Sequence, residues 1–243
     1  MKVAIISDIH GNRHAFDAVL ADVADTSVDE VWCLGDLVGY GAEPDACVEL
    51  ARDNTDLCLA GNHDLAVIGA IPLDDFSRGA QIAVRWTAEV MAPENRDYLS
   101  ELRPSSARAG IGLYHASPRD EVWEYVLSAL LAELCLDAAR HRVNLIGHSH
   151  VALSFNRPEG EPATGETRRG GTEVEIDAGE WLLNPGSVGQ PRDGDPRAAW
   201  MLLDTVEDLA HYRRCDYDIG GAAAAIRAAR LPDSLAERLE YGQ

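Results

Sequence analysis

The 243-residue chain has no run of about 18 apolar residues, so no segment has the composition of a membrane-spanning helix. Its N-terminus enters a β-branched apolar run directly, without a signal-peptide pattern, and a cytoplasmic protein is expected. The five cysteines, Cys33, Cys47, Cys58, Cys135 and Cys215, are scattered, odd in number and never spaced Cys-x-x-Cys. That excludes a disulfide framework and a zinc ribbon, and leaves most of them as small core residues. Positive charge is scarce: Lys and Arg number 21 against 41 Asp and Glu, for a formal net charge of -20 and a pI near 4.6. Such a chain lacks the basic footprint of a broad nucleic-acid surface. A phosphate ester held at one point is still allowed, because bound divalent cations reverse the local potential. Linker composition and internal repeats are also missing, so residues 1–243 are expected to form one domain, monomeric or homodimeric.

What is present is a series of apolar runs, each ending in polar residues. Lys2 to Ile6 reads as a strand buried on both faces, and Asp8 and His10 stand just past it. Side chains two apart on an extended chain point the same way, so a carboxylate and an imidazole are expected to converge there. Hard oxygen beside imidazole nitrogen is a donor set for a first-row divalent metal. Alone, Asp-x-His also reads as two unrelated polar residues on a surface loop.

Repetition adds the weight. A helical pattern follows from Ala15 to Val23; Glu30 to Leu34 is a strand ending at Gly35-Asp36; Pro44 opens a helix to about Arg52. Asp56 to Ala60 is a third strand, ending at Gly61-Asn62-His63-Asp64. There are 24 residues between His10 and Gly35 and 24 between Asp36 and Gly61, room for one helix and one strand each time. The three polar clusters should therefore reach the same edge of a largely parallel sheet, where α/β folds bind ligands.

Phe76 to about Leu102 reads as helical, Gly110 to Tyr114 as a strand ending at His115, and Trp123 to about Ala139 as a helix. Arg142 to Ile146 is a strand ending at Gly147-His148-Ser149-His150, which repeats the spacing of Asp8 and His10 and continues into Val151 to Leu153. Residues 158–171, polar and without apolar period, read as a mobile hairpin loop or lid. Glu173–Ile176 and Trp181–Leu183 read as an antiparallel pair around Ala178-Gly179, and Ala199–Leu203 with Leu209–Arg213 as a last hairpin. Helices near 220–229 and 234–240 end the chain.

Taken together, Asp8-x-His10, Gly35-Asp36, Gly61-Asn62-His63-Asp64, His115 and Gly147-His148-Ser149-His150 resemble the signature of the calcineurin-like metallophosphoesterases. The similarity is nearest to the small prokaryotic phosphodiesterase-type members, which share a His-Gly-Asn-x-His-Ala start and an Asn-Pro-Gly-Ser-Val-Gly turn, here His10 to Ala15 and Asn184 to Gly189. The resemblance runs from Met1 to about Asp204. It implies an α/β (α+β) four-layer fold with two facing mixed β-sheets and helices outside. It also implies two divalent metal ions, Mn foremost and Fe, Ni or Zn as alternatives. Asp8, His10 and His150 would hold one, Asn62, His115 and His148 the other, with Asp36 between. His63 would contact the phosphate or protonate the leaving oxygen; Asp64 beside it is the second catalytic candidate.

Chemistry agrees with that implication. Two divalent ions about 3.5–4 Å apart can deprotonate a shared water for in-line attack at phosphorus, with no side-chain nucleophile required. One departure bears on the substrate. The Ser/Thr protein phosphatases of the superfamily continue the second motif as Gly-Asp-x-Val-Asp-Arg-Gly, whereas Gly35 to Gly41 reads Gly-Asp-Leu-Val-Gly-Tyr-Gly. The acid that would support the catalytic His and the Arg that would grip a monoester are missing, which favours a small phosphodiester. Arg119 or Arg192 could replace the cation, and Asn12, His14 and Asn62 are further candidates for substrate contact. The alternatives are a phosphomonoesterase, protein phosphatases included, a dinucleoside polyphosphate hydrolase, or a non-catalytic scaffold of the kind the superfamily also contains.

Overall fold

The computed structural model describes residues 1–243. In chain order the elements are β1 (Lys2–Ile6), α1 (Arg13–Ala24), β2 (Glu30–Cys33), α2 (Pro44–Asn54), β3 (Leu57–Cys58), α3 (Asn62–Val67), α4 (Arg78–Val90), α5 (Pro93–Glu101), β4 (Ser105–Arg108), β5 (Ile111–Tyr114), α6 (Ala129–Ala138), β6 (Val143–Leu145), β7 (Ala152–Arg157), β8 (Thr164–Thr167), β9 (Glu173–Glu175), β10 (Glu180–Pro185), β11 (Ala198–Asp204), β12 (Leu209–Cys215), α7 (Ile219–Ala228) and α8 (Asp233–Tyr241). No helix is long and apolar enough to cross a membrane.

The strands form two six-stranded mixed sheets, ordered β3-β2-β1-β11-β12-β9 and β4-β5-β6-β10-β7-β8. In the first, β1, β2 and β3 run parallel, as the repeated spacing implies, and β11 joins β1 antiparallel. In the second, β5, β6 and β10 are parallel, with antiparallel strands beyond them. The second sheet thus has a parallel centre and antiparallel flanks, whereas the first is parallel at its β3-β2-β1 edge and antiparallel from β11 onward, a mixture that strand-by-strand reading could not give.

Alternation along the strands divides the core. Val3 and Ile5 of β1 pack with Trp32, Leu113, Leu145, Leu183 and Met201 between the two sheets. Ala4 and Ile6 face the other way, with Trp200 and Leu202, against α1, α2, α7 and α8. The outer face of the second sheet, through Leu153, Phe155 and Leu182, packs on Ala132, Cys135 and Leu136 of α6. Layers of helix, sheet, sheet and helix result, and the central strands are apolar on both sides because both sides are covered. The helix starts follow their capping residues: Ser77, Ser128 and Asp218 accept from backbone N–H groups of α4, α6 and α7, and Pro44 and Pro93 open α2 and α5.

Three expectations are corrected. β9 and β10 do not pair with each other: β9 is an edge strand on β12, whereas β10 lies between β6 and β7. Five of the six β10 residues are buried and need cover on both faces, which a hairpin could not supply. The helix expected from Trp123 starts only at Ala129, because Asp120 Oδ1 accepts from the N–H groups of Val122 and Trp123 in a tight turn and Ser128 supplies the cap. The hairpin expected at 158–171 is present, but its loop is shorter than expected: Thr164–Thr167 is β8, which pairs antiparallel with β7.

Candidate metal centre

The polar clusters do meet at one edge of the sheets, but not by strand alternation. β1 stops at Ile6, and Asp8 and His10 lie beyond it with φ of 56° and 52°. Asp36, Tyr40, His148 and His150 are also left-handed, at 56°, 60°, 62° and 59°. Such conformations cost non-glycine residues roughly 1–3 kcal/mol each and persist only where the surroundings enforce them. Backbone zippers enforce them here. The N–H groups of Asp8, His10 and Gly11 donate to the carbonyls of Gly35, Asp36 and Leu37, binding the loop after β1 to the loop after β2.

The Asn184 to Gly189 turn ties in the other sheet. Asn184 Nδ2 donates to Gly147 O at 2.7 Å and to Ser149 Oγ at 3.0 Å. Ser187 Oγ and the Gly189 N–H both donate to the Asp8 carbonyl. Gly61 is required by packing, since a Cβ there would collide with the Asp36 carboxylate and backbone.

Within this frame each aspartate is half satisfied. The His148 N–H donates to Asp8 Oδ2 at 3.1 Å and the His63 N–H to Asp36 Oδ1 at 2.9 Å. Asp8 Oδ1 and Asp36 Oδ2 are buried with no hydrogen-bond partner. The imidazoles follow the same rule. Nδ1–H of His10, His115 and His150 donates to the carbonyls of Val38, Leu34 and Gln190, at 3.0, 2.9 and 2.7 Å. A carbonyl can only accept, so Nε2 of each ring carries a lone pair. His148 is reversed: Nε2–H donates to Trp123 O at 3.2 Å and Nδ1 is left basic.

These free acceptors face one another. His10 Nε2 is 3.0 Å from His150 Nε2 and 3.5 Å from Asp36 Oδ2; His150 Nε2 is 3.5 Å from Asp8 Oδ1. His115 Nε2 is 3.6 Å from Asp36 Oδ2 and 3.2 Å from Asn62 Oδ1. Two groups emerge, Asp8-His10-Asp36-His150 and Asp36-His115-His148, each with donor atoms within 4.8 Å of one another, and Asp36 belongs to both. A buried cage of lone pairs is repulsive unless a cation sits among them. Burial pushes the Asp8 carboxyl up to about 7 and the Asp36 carboxyl upward as well, while it depresses His10, His148 and His150. Orphaned oxygens, fixed tautomers and a nitrogen-oxygen donor set all fit divalent first-row ions.

Beside the cage lies a cleft of about 360 Å³. Asn62, His63 and Arg192, candidates for substrate contact, line it. His63 is buried and held neutral by desolvation and by the Arg192 charge. Its Nδ1 has no partner and lies against Gly39, where no Cβ would fit. The position that carries an acid in protein phosphatases is therefore closed here by contact.

Other expected site residues are engaged elsewhere. Asp64 accepts from the Val38 N–H at 3.1 Å and the Gly61 N–H at 2.9 Å, so its carboxylate fastens two loops and does not face the cleft. Asn12 caps α1 through the Ala15 N–H and donates to Gly189 O. His14 lies 3.6 Å from Glu43 and 3.9 Å from Asp218, outside the cleft. Arg119 pairs with Glu124 at 3.1 Å. Conversely, Phe76, Trp123, Tyr125 and Arg238 line the cleft without having been singled out. Tyr125 stacks on the His148 ring at a centroid distance of 4.1 Å. The Asp120 turn and the Ser128 cap were the available signal that residues 123–127 form a loop; nothing local to α8 marks Arg238.

Comparisons with known proteins agree with this geometry. The family model of the calcineurin-like phosphoesterase superfamily domain matches residues 1–208. An uncharacterized protein of Methanocaldococcus jannaschii is 38% identical over 248 residues, covering 99% of this chain and 98% of its own. The crystal structure of a metallophosphoesterase from Sphaerobacter thermophilus superposes with a TM-score of 0.91 at 37% identity, covering 100% of this chain and 99% of that one. A symmetrical bis(5'-nucleosyl)-tetraphosphatase of Actinobacillus pleuropneumoniae is 32% identical over 74 residues, 29% of this chain and 27% of its own. The chain belongs to the calcineurin-like phosphoesterase superfamily.

Proposed function

We propose that the protein is a metal-dependent phosphodiesterase acting on a small phosphodiester. The observation that carries this reading is the acceptor-only cage: Asp8 Oδ1 and Asp36 Oδ2 are orphaned while His10, His115 and His150 are pinned as acceptors toward them. Asp8, His10 and His150 would hold one divalent ion, Asn62, His115 and His148 a second, and Asp36 both. Ions held there would acidify a water and offset the charge of the phosphoryl oxygens. Mn is the first choice for both, with Fe, Ni or Zn compatible with the same donors.

The residues of this chain contribute the rest. Nδ1 of His63 is enclosed against Gly39, and the accessible ring nitrogen is Nε2, which lines the cleft as a neutral group able to donate N–H to an ester oxygen. As the leaving oxygen gains negative charge, that N–H would stabilise it as a hydrogen-bond donor. Asn62 Oδ1 faces His115, which leaves its NH₂ as a donor for a phosphoryl oxygen. Arg192, which lines the cleft, would bind the ester anion, and Phe76, Trp123 and Tyr125 would give apolar contact for organic substituents.

Purified protein supplied with Mn²⁺ should hydrolyse bis(p-nitrophenyl) phosphate, and Asp36→Asn or His63→Ala should abolish the activity. No turnover on a panel of diesters would defeat the reading. A second reading, hydrolysis of a dinucleoside polyphosphate, has its own support: Arg192 and Arg238 add more positive charge to the cleft than a singly charged diester needs, and the tetraphosphatase of Actinobacillus pleuropneumoniae is similar over part of the chain. Parallel kinetics on diester, monoester and polyphosphate substrates distinguish the two.

A further inference from the structure

Arg238 belongs to α8, beyond the residues matched by the family model, yet it reaches the cleft beside Arg192. The two guanidinium groups are gathered on the same neutral partners. Arg192 donates to Gln190 Oε1 through Nη2 at 2.8 Å, and Arg238 donates to the same oxygen through Nη1 at 3.1 Å. Both lie over the Tyr40 ring, with Cζ at 5.6 and 5.9 Å from its centroid. The charges that bear on Arg238 are Arg192 and the phenols of Tyr40 and Tyr125, with no carboxylate among them.

Other half-buried arginines in this acidic chain find acids: Arg157 pairs with Glu133, Asp137 and Glu180, and Arg213 with Asp22. Two guanidinium charges gathered on one amide oxygen repel each other. Neither guanidinium forms an ion pair, and although Asp75 lines the same cleft and Arg192 faces the cage carboxylates, Arg238 has no acid acting on it, which leaves the pair open to an anion. The arrangement is also fixed in place. The Gly194 N–H donates to Gly242 O just after α8, so the end of the helix is fastened to the loop that carries Gln190 and Arg192.

We propose that Arg238, on the outer side of Arg192, forms a second anion subsite that binds an anionic group of the substrate other than the phosphoryl under attack. The preferred substrates would be phosphoesters or phosphoanhydrides carrying a further phosphate or equivalent charge. The proposal rests on the phosphoesterase reading for its meaning, but binding tests it separately. Arg192 lies nearer the cage, since its charge bears on Asp8, His10 and His63; Arg238 is the outer member, and it sets the preference.

Equilibrium binding of AMP and of α,β-methylene ADP to the Mn²⁺-loaded protein, in excess Mn²⁺, compares ligands that differ by one phosphoryl-like group. The native protein should prefer the methylene ADP by about tenfold or more, a difference of roughly 1.4 kcal/mol. Arg238→Gln should remove most of that preference, and Arg238→Lys should retain part of it. Equal affinities in the native protein, or a preference untouched by Arg238→Gln in a folded variant, would overturn the proposal. If the preference depends on Arg238 but no ester is hydrolysed, the subsite stands and the phosphodiesterase reading falls. Diester hydrolysis without the preference is the reverse result.

Discussion

Gly39→Ala is the sharpest perturbation of the proposed chemistry, because it changes one methyl group and touches no metal-ligand candidate. Gly39 has φ of 87°, so an alanine there pays about 1–2 kcal/mol of backbone strain. The added Cβ would overlap His63 Nδ1 and stand 2.8 Å from its Cγ. Restoring an ordinary contact of about 3.5 Å moves the ring by roughly 1 Å. His63 is only 3% exposed and lies edge-on to Phe76 at 5.0 Å, so the displacement is not absorbed by empty space behind it. A misplacement of about 1 Å in a catalytic group costs on the order of 100-fold in rate. The expected result is kcat on bis(p-nitrophenyl) phosphate lower by about two orders of magnitude, with bound metal unchanged by elemental analysis and the urea midpoint only modestly lowered. A folded, metal-replete Gly39→Ala variant with native kcat would refute the role given to His63.

Other consequences follow from the same contacts. Asp64→Ala leaves the buried N–H groups of Val38 and Gly61 without their acceptor, at about 1–3 kcal/mol each, so urea unfolding should show a loss of about 2–6 kcal/mol; a loss below about 1 kcal/mol would contradict the fastening role. Asn184→Ala frees Gly147 and Ser149 from the turn that positions His148 and His150, and metal affinity by titration should fall by about 10–100-fold, as for other groups that orient ligands; native affinity would count against it. Proton release on metal binding should depend on pH. The Asp8 carboxyl titrates near 7 in the metal-free fold, so at pH 6 the metal must displace its proton, whereas the depressed imidazoles of His10, His148 and His150 are already neutral. Affinity should therefore rise with pH through the titration of Asp8 near 7, with the Asp36 carboxyl, also pushed upward by burial, adding to the rise; calorimetry in buffers of different ionisation enthalpy should find more protons released at pH 6 than at pH 8, and equal release would contradict the assignment.

Much of the centre was legible because polar residues interrupt apolar runs at regular intervals. Asp8, Asp36, Asn62, His115 and the His148-His150 pair stand out for that reason, and the equal spacing of the first three clusters reflects β1, β2 and β3 lying parallel and adjacent. The means of convergence was not legible. Left-handed turns at Asp8, His10, His148 and His150 are imposed by hydrogen bonds from the neighbouring loops, and the local sequence does not announce them. Asn12, His14 and Asp64 were drawn toward the site by proximity in sequence, whereas their side chains act as a cap, a surface group and a backbone fastener. Arg238 was missed for the opposite reason: α8 reads as an ordinary amphipathic helix, and only its docking against the Gln190 loop brings the guanidinium into the cleft. The separation of β9 and β10 into different sheets has a similar origin, since β9 alternates as an edge strand does and the burial of β10 on two faces decides its place.

The central claim is that Asp36 joins two cation sites built from the side chains around it. An anomalous difference map from a crystal soaked in Mn²⁺ tests this most directly. Two peaks are expected, one among Asp8, His10 and His150 and one among Asn62, His115 and His148, with Asp36 touching both. A single peak, or none at full soaking, would contradict the account.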